Sequence, residues 1–322
     1  MNVNARPEGS SFFESVRRFL KNTRQTPEEV LIREPGERIY GAPVHASAEA
    51  QKHWEYALLS QIAYEKAEAI KKSRAEGKGS FGVKPDYSAQ SFNPECLLRE
   101  AGWEFCGDFP GDQLDPKFKA VHLRVEVWTR KEDPAVAVAF AGTVATSLKD
   151  WEANLRWFLP AHHDQYSVLV SDLVPAFIAI FQKMYPQTPP VIYSTGHSLG
   201  GGLAQQFAYA LPDALLQQGQ NLPRVIQVYA FDPSPVTGYY SLKKQIRMQN
   251  SKGLRTDRIF ERGEILAVVR SFLALVRPPS MMNPAVRAVR YNFEGIRDPI
   301  YAHNIGRFAE ALYLSGVEKP SS

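Results

Sequence analysis

The chain has little of what marks several specialised classes of protein. It contains only two cysteines, Cys96 and Cys106, which could pair with each other but are too few to form a disulfide framework. Neither sign of charge dominates, because 38 basic residues stand against 34 acidic ones for a net charge of +4. This balance does not favour binding to nucleic acid, and no zinc-finger, RNA-binding or basic-helix pattern is present.

Long apolar runs, metal-ligand spacings and internal repeats are missing as well. Residues 1–20 lack the continuous apolar core of a signal peptide, and no stretch reaches the roughly 18 uncharged apolar residues of a membrane-spanning helix. We therefore expect a chain that is cytoplasmic or is exported by a route that uses no signal peptide. His162 and His163 stand beside Asp164, but nothing completes the spacing of a metal site, so we expect neither a metal nor another cofactor.

The first third of the chain is predicted to be helical. In residues 11–20, Ser11 and Glu14 form a capping box ahead of an apolar stripe. This helix either docks on the rest of the protein, which we favour, or lies on an anionic membrane. A longer helix is predicted over residues 47–73. Together these segments predict an N-terminal helical extension, residues 1–103, packed on a core domain.

From about residue 104 to residue 322, predicted strands and helices alternate. Residues 121–130 alternate apolar and polar side chains. Residues 135–142 are continuously apolar, which is typical of a fully buried strand. The helix predicted at 168–185 contains Pro175 and is expected to kink or begin there. Strands are predicted at 121–130, 135–142 and 224–231, and helices at 143–158 and 168–185. This order predicts a mostly parallel sheet with helices on both faces.

The segment STGHSLGGG, residues 194–202, surrounds Ser198 with glycines. A β-branched and aromatic run precedes it and a helical pattern follows, so a strand-to-helix turn is predicted there. One interpretation is a helix start capped by Ser194 or Thr195. The other is a nucleophile elbow, G-x-S-x-G, whose strained central residue leaves room only for very small neighbours. The context favours the elbow, with Ser198 as nucleophile and His197 packed beside the site.

A serine nucleophile needs an adjacent base that an acid orients. In folds with this elbow the chain order is serine, acid, histidine, and six of the seven histidines precede Ser198, so His303 is predicted to be the base. The acid should lie on a loop after a strand end. That criterion leaves Asp232 and Glu264 nearly even, with Asp257 as a third candidate.

Five motifs resemble those of the class 3, or fungal-type, lipase family. The family pattern is F-R-G-T with a downstream D-W pair, G-H-S-L-G-G, F-G-x-P-x-V-G, an acid in R-x-V-x-x-x-D-x-V, and a C-terminal His. This sequence has FAGT at 140–143 with Asp150 and Trp151 downstream, GHSLGG at 196–201, FDPSPVTG at 231–238, RIFERGEIL at 258–266 and HNIGRF from His303. The resemblance covers roughly residues 120–315.

The resemblance implies an α/β-hydrolase fold, with a mostly parallel central sheet flanked by helices, in which residues 104–322 form the lipase-like domain. It favours Glu264 as the acid of the triad and assigns Asp232 to the strand-end motif. It also implies an oxyanion hole made by the backbone N–H of Leu199 and by Thr143. Ala141 stands where the family has arginine, which removes a salt-bridge partner but no catalytic atom.

By the same resemblance, the chain is expected to be a serine hydrolase of lipid carboxylic esters, a lipase or phospholipase, acting through Ser198, His303 and Glu264. Its expected partners are a lipid or ester substrate and, transiently, a membrane surface. The segment after Glu264 fits lipid chains and anionic head groups, or a buried helix with snorkelling arginines; its arginines are Arg270, Arg277, Arg287 and Arg290.

Three alternatives to that function stay open at this point. The same triad would serve a thioesterase or an acyltransferase. A phospholipase without a signal peptide would also fit an antibacterial effector toxin that is accompanied by an immunity protein. A binding protein that kept only the fold is disfavoured, because the serine, acid and histidine are all present.

Overall fold

The protein is built on one mixed sheet. The computed structural model describes residues 25–78, 83, 85–87, 92–109, 115–142, 165–211, 222–264, 283–295 and 301–317. The strands within them are β1 Glu29–Arg33, β2 Val44–His45, β3 Trp103–Phe109, β4 Val125–Arg130, β5 Ala135–Phe140, β6 Val191–His197, β7 Val225–Phe231, β8 Arg255–Glu261 and β9 Ala285–Tyr291. Their order is β2-β1-β9-β8-β7-β6-β5-β4-β3. The centre, β5 to β9, is parallel, whereas the strands at both edges pair antiparallel.

Helices cover both faces of this sheet. Those in the described residues are α1 Ser47–Ala75, α2 Pro94–Glu100, α3 Asp115–Ala120, α4 Gln165–Met184, α5 Leu199–Ala210, α6 Lys244–Asn250 and α7 Ile305–Val317. α1 and α7 share one buried core with the sheet, and α4 and α5 share the other. This is the predicted α/β-hydrolase architecture, with parallel strands joined through helices on the two faces.

Strand β5 shows how the sequence divides between the two cores. All six of its residues are buried. Its alanines, at 135, 137 and 139, belong to the core under α1 and α7, where small side chains let a long helix lie close to the sheet. Val136, Val138 and Phe140 point into the opposite core, where Phe140 contacts Phe207 of α5. The continuous apolar run was therefore a correct sign of a strand that is buried on both faces.

Helix α4 is irregular where the sequence predicted a kink. Residues Leu169–Leu173 form a wider, π-helical turn immediately before Val174 and Pro175. Proline lacks an N–H and its ring clashes with the carbonyl four residues earlier, so a wider turn accommodates it. By length and composition α4 is apolar enough to cross a membrane, contrary to the expectation from the sequence. Its Phe177 and Phe181 pack into the core shared with α5.

Strand β9 corrects one expectation. Residues 285–291 were expected to belong to a lipid-binding segment or a buried helix, but they pair with β8 and β1 in the sheet. Arg287 lies against Asp257, with 3.3 Å between Nε and Oδ1, and Arg290 lies over the ring of Tyr40. Both arginines have partners within the protein because the segment is a strand. Residues 265–282, which include Arg270 and Arg277, lie outside the described residues.

Other expectations also fall outside the described residues, namely the helices at 11–20 and 143–158 and the group of His162, His163 and Asp164. Cys96 and Cys106 are exposed and unbridged. The division of the chain at residue 103 remains a prediction. Within the described residues, β1 pairs with β9 and α1 packs on the central strands, so both join elements of the C-terminal part.

Candidate active site

Ser198 occupies a strained turn between β6 and α5. Its φ of 57° and ψ of −122° lie in a region that non-glycine residues rarely adopt. Backbone hydrogen bonds hold it there, because its N–H donates to the carbonyl of Phe231 over 2.9 Å and its carbonyl accepts from Ser234 N–H over 2.9 Å. Both partners belong to the end of β7 or to the loop after it. The neighbouring strand therefore fixes the conformation that the elbow motif predicts.

The glycines around Ser198 are required by close backbone contacts. A Cβ on Gly200 would lie 2.3 Å from the carbonyl oxygen of Phe140, and one on Gly196 would lie 2.4 Å from the carbonyl of Gly200. Atoms of the backbone cannot move aside as the end of a flexible side chain can. The turn is therefore packed directly against the end of β5, the strand that leads to Thr143.

His303 and Glu264 are brought together from separate elements. His303 ends the short 3₁₀ turn Tyr301–His303 before α7, and Glu264 follows β8 after a turn in which Gly263 has a φ of 80°. Nδ1 of His303 lies 2.9 Å from Oε2 of Glu264, and both side chains are buried. An ionised carboxylate only accepts, so Nδ1 carries the proton and Nε2 carries the lone pair.

Asp232 lies nearby but makes a different contact. It is fully buried, its φ is 39°, and its Oδ1 accepts a hydrogen bond from the backbone N–H of Glu261 over 3.2 Å. Its Oδ2 lies 4.0 Å from Nε2 of His197. Within the described contacts, the carboxylate bonded to His303 is therefore that of Glu264, while Asp232 is bonded to local backbone.

The third acid candidate, Asp257, faces another histidine. Its Oδ2 lies 3.1 Å from Nε2 of His53, and Arg287 approaches its other oxygen. Burial alone would raise the pKa of Asp257, but the hydrogen bond from His53 and the charge of Arg287 lower it below its usual value. The structure thus pairs Asp257 with His53 on α1 rather than with His303.

The structure describes one of the two expected oxyanion donors. Leu199 is the first residue of α5, and the first N–H groups of a helix have no acceptor within the helix. Thr143 lies outside the described residues. Gly142, directly before it, packs so closely that a Cβ there would lie 2.6 Å from the carbonyl oxygen of His197. The last described residue before Thr143 therefore lies directly against the elbow.

Two features of the site escaped the sequence analysis. His197 packs beside the site, with its ring 4.5 Å from that of His303 between centroids, and the unforeseen contact is with Tyr64 of α1, which meets its ring edge-on at 5.5 Å. Burial raises the pKa of Tyr64 to about 12, so its hydroxyl stays neutral. Helix α1 also holds β6, because Oγ of Ser60 lies 2.8 Å from Oγ1 of Thr195. No local pattern marks these long-range contacts.

Comparison with known proteins places this site in a family. The family model for lipase (class 3) matches residues 137–269, which include the end of β5, the elbow, the end of β7 and Glu264. Residues 137–269 belong to the class 3 lipase family. The match supports an ester hydrolase activity for the chain. His303 lies outside the matched residues and is connected to them through Glu264.

Solved fungal lipases are similar to the chain at low identity. Lipase II from Rhizopus niveus is 16% identical, with 76% of this chain and 79% of that one covered and a TM-score of 0.42. The triacylglyceride lipase of Rhizomucor miehei is 18% identical, with 73% and 76% covered and a TM-score of 0.41. Lip2 lipase from Yarrowia lipolytica is 17% identical, with 69% and 74% covered and a TM-score of 0.39. No curated protein sequence matches the chain.

Proposed function

We propose that this class 3 lipase cleaves lipid carboxylic esters by covalent catalysis at Ser198. The Oγ of Ser198 attacks the ester carbonyl while Nε2 of His303 takes its proton. The backbone N–H of Leu199 and Thr143 stabilise the negative charge that develops on the carbonyl oxygen. His303 then gives its proton to the departing alkoxide, which leaves an acyl group on Ser198.

The second half of the reaction uses the same residues. His303 removes a proton from water, the resulting hydroxide attacks the acyl group, and Ser198 leaves with the proton that His303 returns. The carboxylate of Glu264 keeps the Nδ1–H tautomer and stabilises the imidazolium that forms in each step. The free carboxylic acid is the second product, and the protein ends as it began.

The observation that carries this proposal is the buried contact between His303 and Glu264. The two groups come from different elements, and the 2.9 Å between Nδ1 and Oε2 orients the ring as a base requires. Their burial strengthens the interaction, because few water molecules compete with it. The strained elbow at Ser198 supports the same interpretation, since backbone strain concentrates at functional residues.

The substrate class comes from the family, and a panel of substrates tests it. We expect hydrolysis of chromogenic esters of increasing acyl length, and of either triacylglycerol emulsions or phospholipid vesicles. Ser198→Ala should lower kcat by about 10⁴-fold or more, because the acyl-enzyme can no longer form. Ser194→Ala is the matched control, since Ser194 lies on β6 four residues before the nucleophile and its Oγ donates to the carbonyl of Ala204 on α5. It should keep kcat.

A fluorophosphonate probe provides an independent readout of the nucleophile. It should label the wild-type chain once, at Ser198, and should not label Ser198→Ala. Wild-type rates in Ser198→Ala would refute the proposed mechanism. Hydrolysis of acyl-CoA substrates far faster than of oxygen esters would replace lipid ester hydrolysis with a thioesterase activity on the same triad.

A further inference from the structure

Three potential metal ligands converge behind the elbow. His197 ends β6, Asp232 follows β7, and His303 ends the 3₁₀ turn before α7. One ligand atom from each lies within 4.8 Å of the others, and all three side chains are buried. Within the residues that the structure describes, no other set of three histidine, cysteine or acidic side chains meets this condition.

The ligand types favour zinc. Two imidazoles and one carboxylate are ligands that Zn²⁺ binds readily, whereas Ca²⁺ and Mg²⁺ prefer oxygen alone. Zinc bonds of about 2.0–2.1 Å in a tetrahedral site place neighbouring ligand atoms about 3.4 Å apart. Nε2 of His197 and Oδ2 of Asp232 are 4.0 Å apart, so small side-chain rotations would bring them to that separation.

Contacts outside the ligand set already orient two of the ligands. His303 donates Nδ1–H to Glu264, a carboxylate-to-histidine contact of the kind that supports zinc-bound histidines and directs Nε2 toward the metal. Asp232 receives the N–H of Glu261 on Oδ1, which orients Oδ2 toward His197. The backbone of Asp232 has a positive φ, a strained conformation that only the surrounding fold can hold. The fold therefore fixes the position of the residue that carries this carboxylate.

We propose that His197, Asp232 and His303 form a Zn²⁺ site, and that the bound ion inhibits hydrolysis reversibly. His303 would bind the ion through Nε2, the atom that the proposed mechanism uses to deprotonate Ser198. The inhibition therefore rests on the proposed function, whereas the binding does not. One group cannot hold a zinc ion and accept a proton with the same lone pair.

Binding is tested directly with zinc chloride by calorimetry and equilibrium dialysis. We expect one zinc ion per chain in the wild type and in Ser198→Ala, and at least about tenfold weaker binding in His197→Asn and Asp232→Asn. His45→Asn controls for adventitious imidazole binding, because His45 is exposed on β2 and its Nδ1 lies 2.9 Å from Oγ of Ser47, a contact outside the proposed site. It should bind zinc as the wild type does.

Cobalt adds a readout that needs no folded variant. Cobalt(II) bound to the wild type should show visible d–d absorption that zinc removes. For the zinc titrations of the variants, circular dichroism should establish that each variant is folded. Absence of stoichiometric zinc binding to the wild type would overturn the proposal. Unchanged affinity in folded His197→Asn and Asp232→Asn would overturn it too, since binding would then lie elsewhere.

Inhibition is measured separately from binding. Zinc should slow ester hydrolysis over the concentration range in which it binds, and EDTA should restore the rate. If zinc binds this site but hydrolysis continues unchanged, the inhibitory role is wrong. If the wild type hydrolyses no ester while Ser198→Ala still binds one zinc ion, the proposed function fails and the metal site stands.

Discussion

At the scale of single residues, two buried carboxylates lie close to one imidazole, and their contacts separate their roles. Glu264 accepts the Nδ1–H of His303, whereas Asp232 accepts a backbone N–H and turns its other oxygen to His197. An acid in a catalytic triad works by fixing the tautomer and by stabilising the imidazolium. Both effects require contact with Nδ1, so we propose Glu264 rather than Asp232 for the role of the acid.

Replacement of that acid tests the assignment. Glu264→Gln should lower kcat by about 10⁴-fold at neutral pH, because an amide neither holds the productive tautomer nor stabilises the imidazolium. The measurement is the rate of ester hydrolysis by the purified, folded variant. Asp257→Asn is the matched control, since Asp257 is a buried acid that contacts His53 and Arg287. It should lower stability and leave kcat nearly unchanged.

The opposite pattern would move the acid to another residue. If Glu264→Gln hydrolysed esters at the wild-type rate while Asp232→Asn were inactive, Asp232 would orient His303. In that case Glu264 would be wrongly matched to the acid of the family motif. Ser198 and His303 would keep their proposed roles, because neither depends on which acid is used.

At the scale of elements, the elbow depends on how closely β5, β6 and α5 approach one another. Gly200→Ala should lower the free energy of unfolding by about 3 kcal/mol, because the new Cβ would lie 2.3 Å from the carbonyl oxygen of Phe140. Urea denaturation measures the change. Gly77→Ala is the control: this glycine has a φ of 72° but no atom within 4 Å of an added Cβ. It should cost only about 1 kcal/mol, from the backbone alone.

A smaller loss in Gly200→Ala than in Gly77→Ala would contradict that account. It would mean that α5 and β5 can separate without cost at the point where they meet. The nucleophile would then be held by Ser198's own hydrogen bonds to β7 and the following loop, rather than by the packing of the glycines.

Elements were predictable where one local pattern decided them. The apolar run of β5 and the glycine-rich turn at Ser198 are explained by neighbours in sequence, and both predicted the structure that is observed. Strand β9 was missed because Arg287 and Arg290 break its apolar pattern. Their partners, such as Asp257, come from distant segments, so no short window of sequence shows that these charges are compensated.

At the scale of the whole molecule, the N-terminal part supports the site from one side of the sheet. Helix α1 brings Tyr64 to His197, Ser60 to Thr195 and His53 to Asp257. Chain order leaves a single histidine after Ser198, so the sequence proposes His303 as the base, whereas only the family resemblance favours Glu264 over Asp232 as the acid. The surroundings of these residues could not be predicted, since the face of α1 that packs on the sheet contains polar residues whose partners are about 135 to 204 positions away.

One buried acid, Glu261 at the end of β8, should make the free energy of unfolding change strongly with pH. Burial raises its pKa to about 7, although backbone N–H groups of Phe293 and Glu294 donate to its carboxylate. The folded state therefore binds this proton more tightly than the unfolded chain. The resulting stabilisation is complete below about pH 4.5 and is lost as pH rises through about 7, a change of about 3 kcal/mol.

Glu261→Gln isolates this contribution, because glutamine resembles the protonated acid in shape and carries no charge at any pH. We expect the variant and the wild type to have similar free energies of unfolding at pH 5, and the variant to be the more stable at pH 8. Urea denaturation at both pH values measures the difference. If the free energies of unfolding of the two proteins differed by the same amount at both pH values, Glu261 would titrate alike in the folded and unfolded states. Its two backbone donors would then offset the effect of burial.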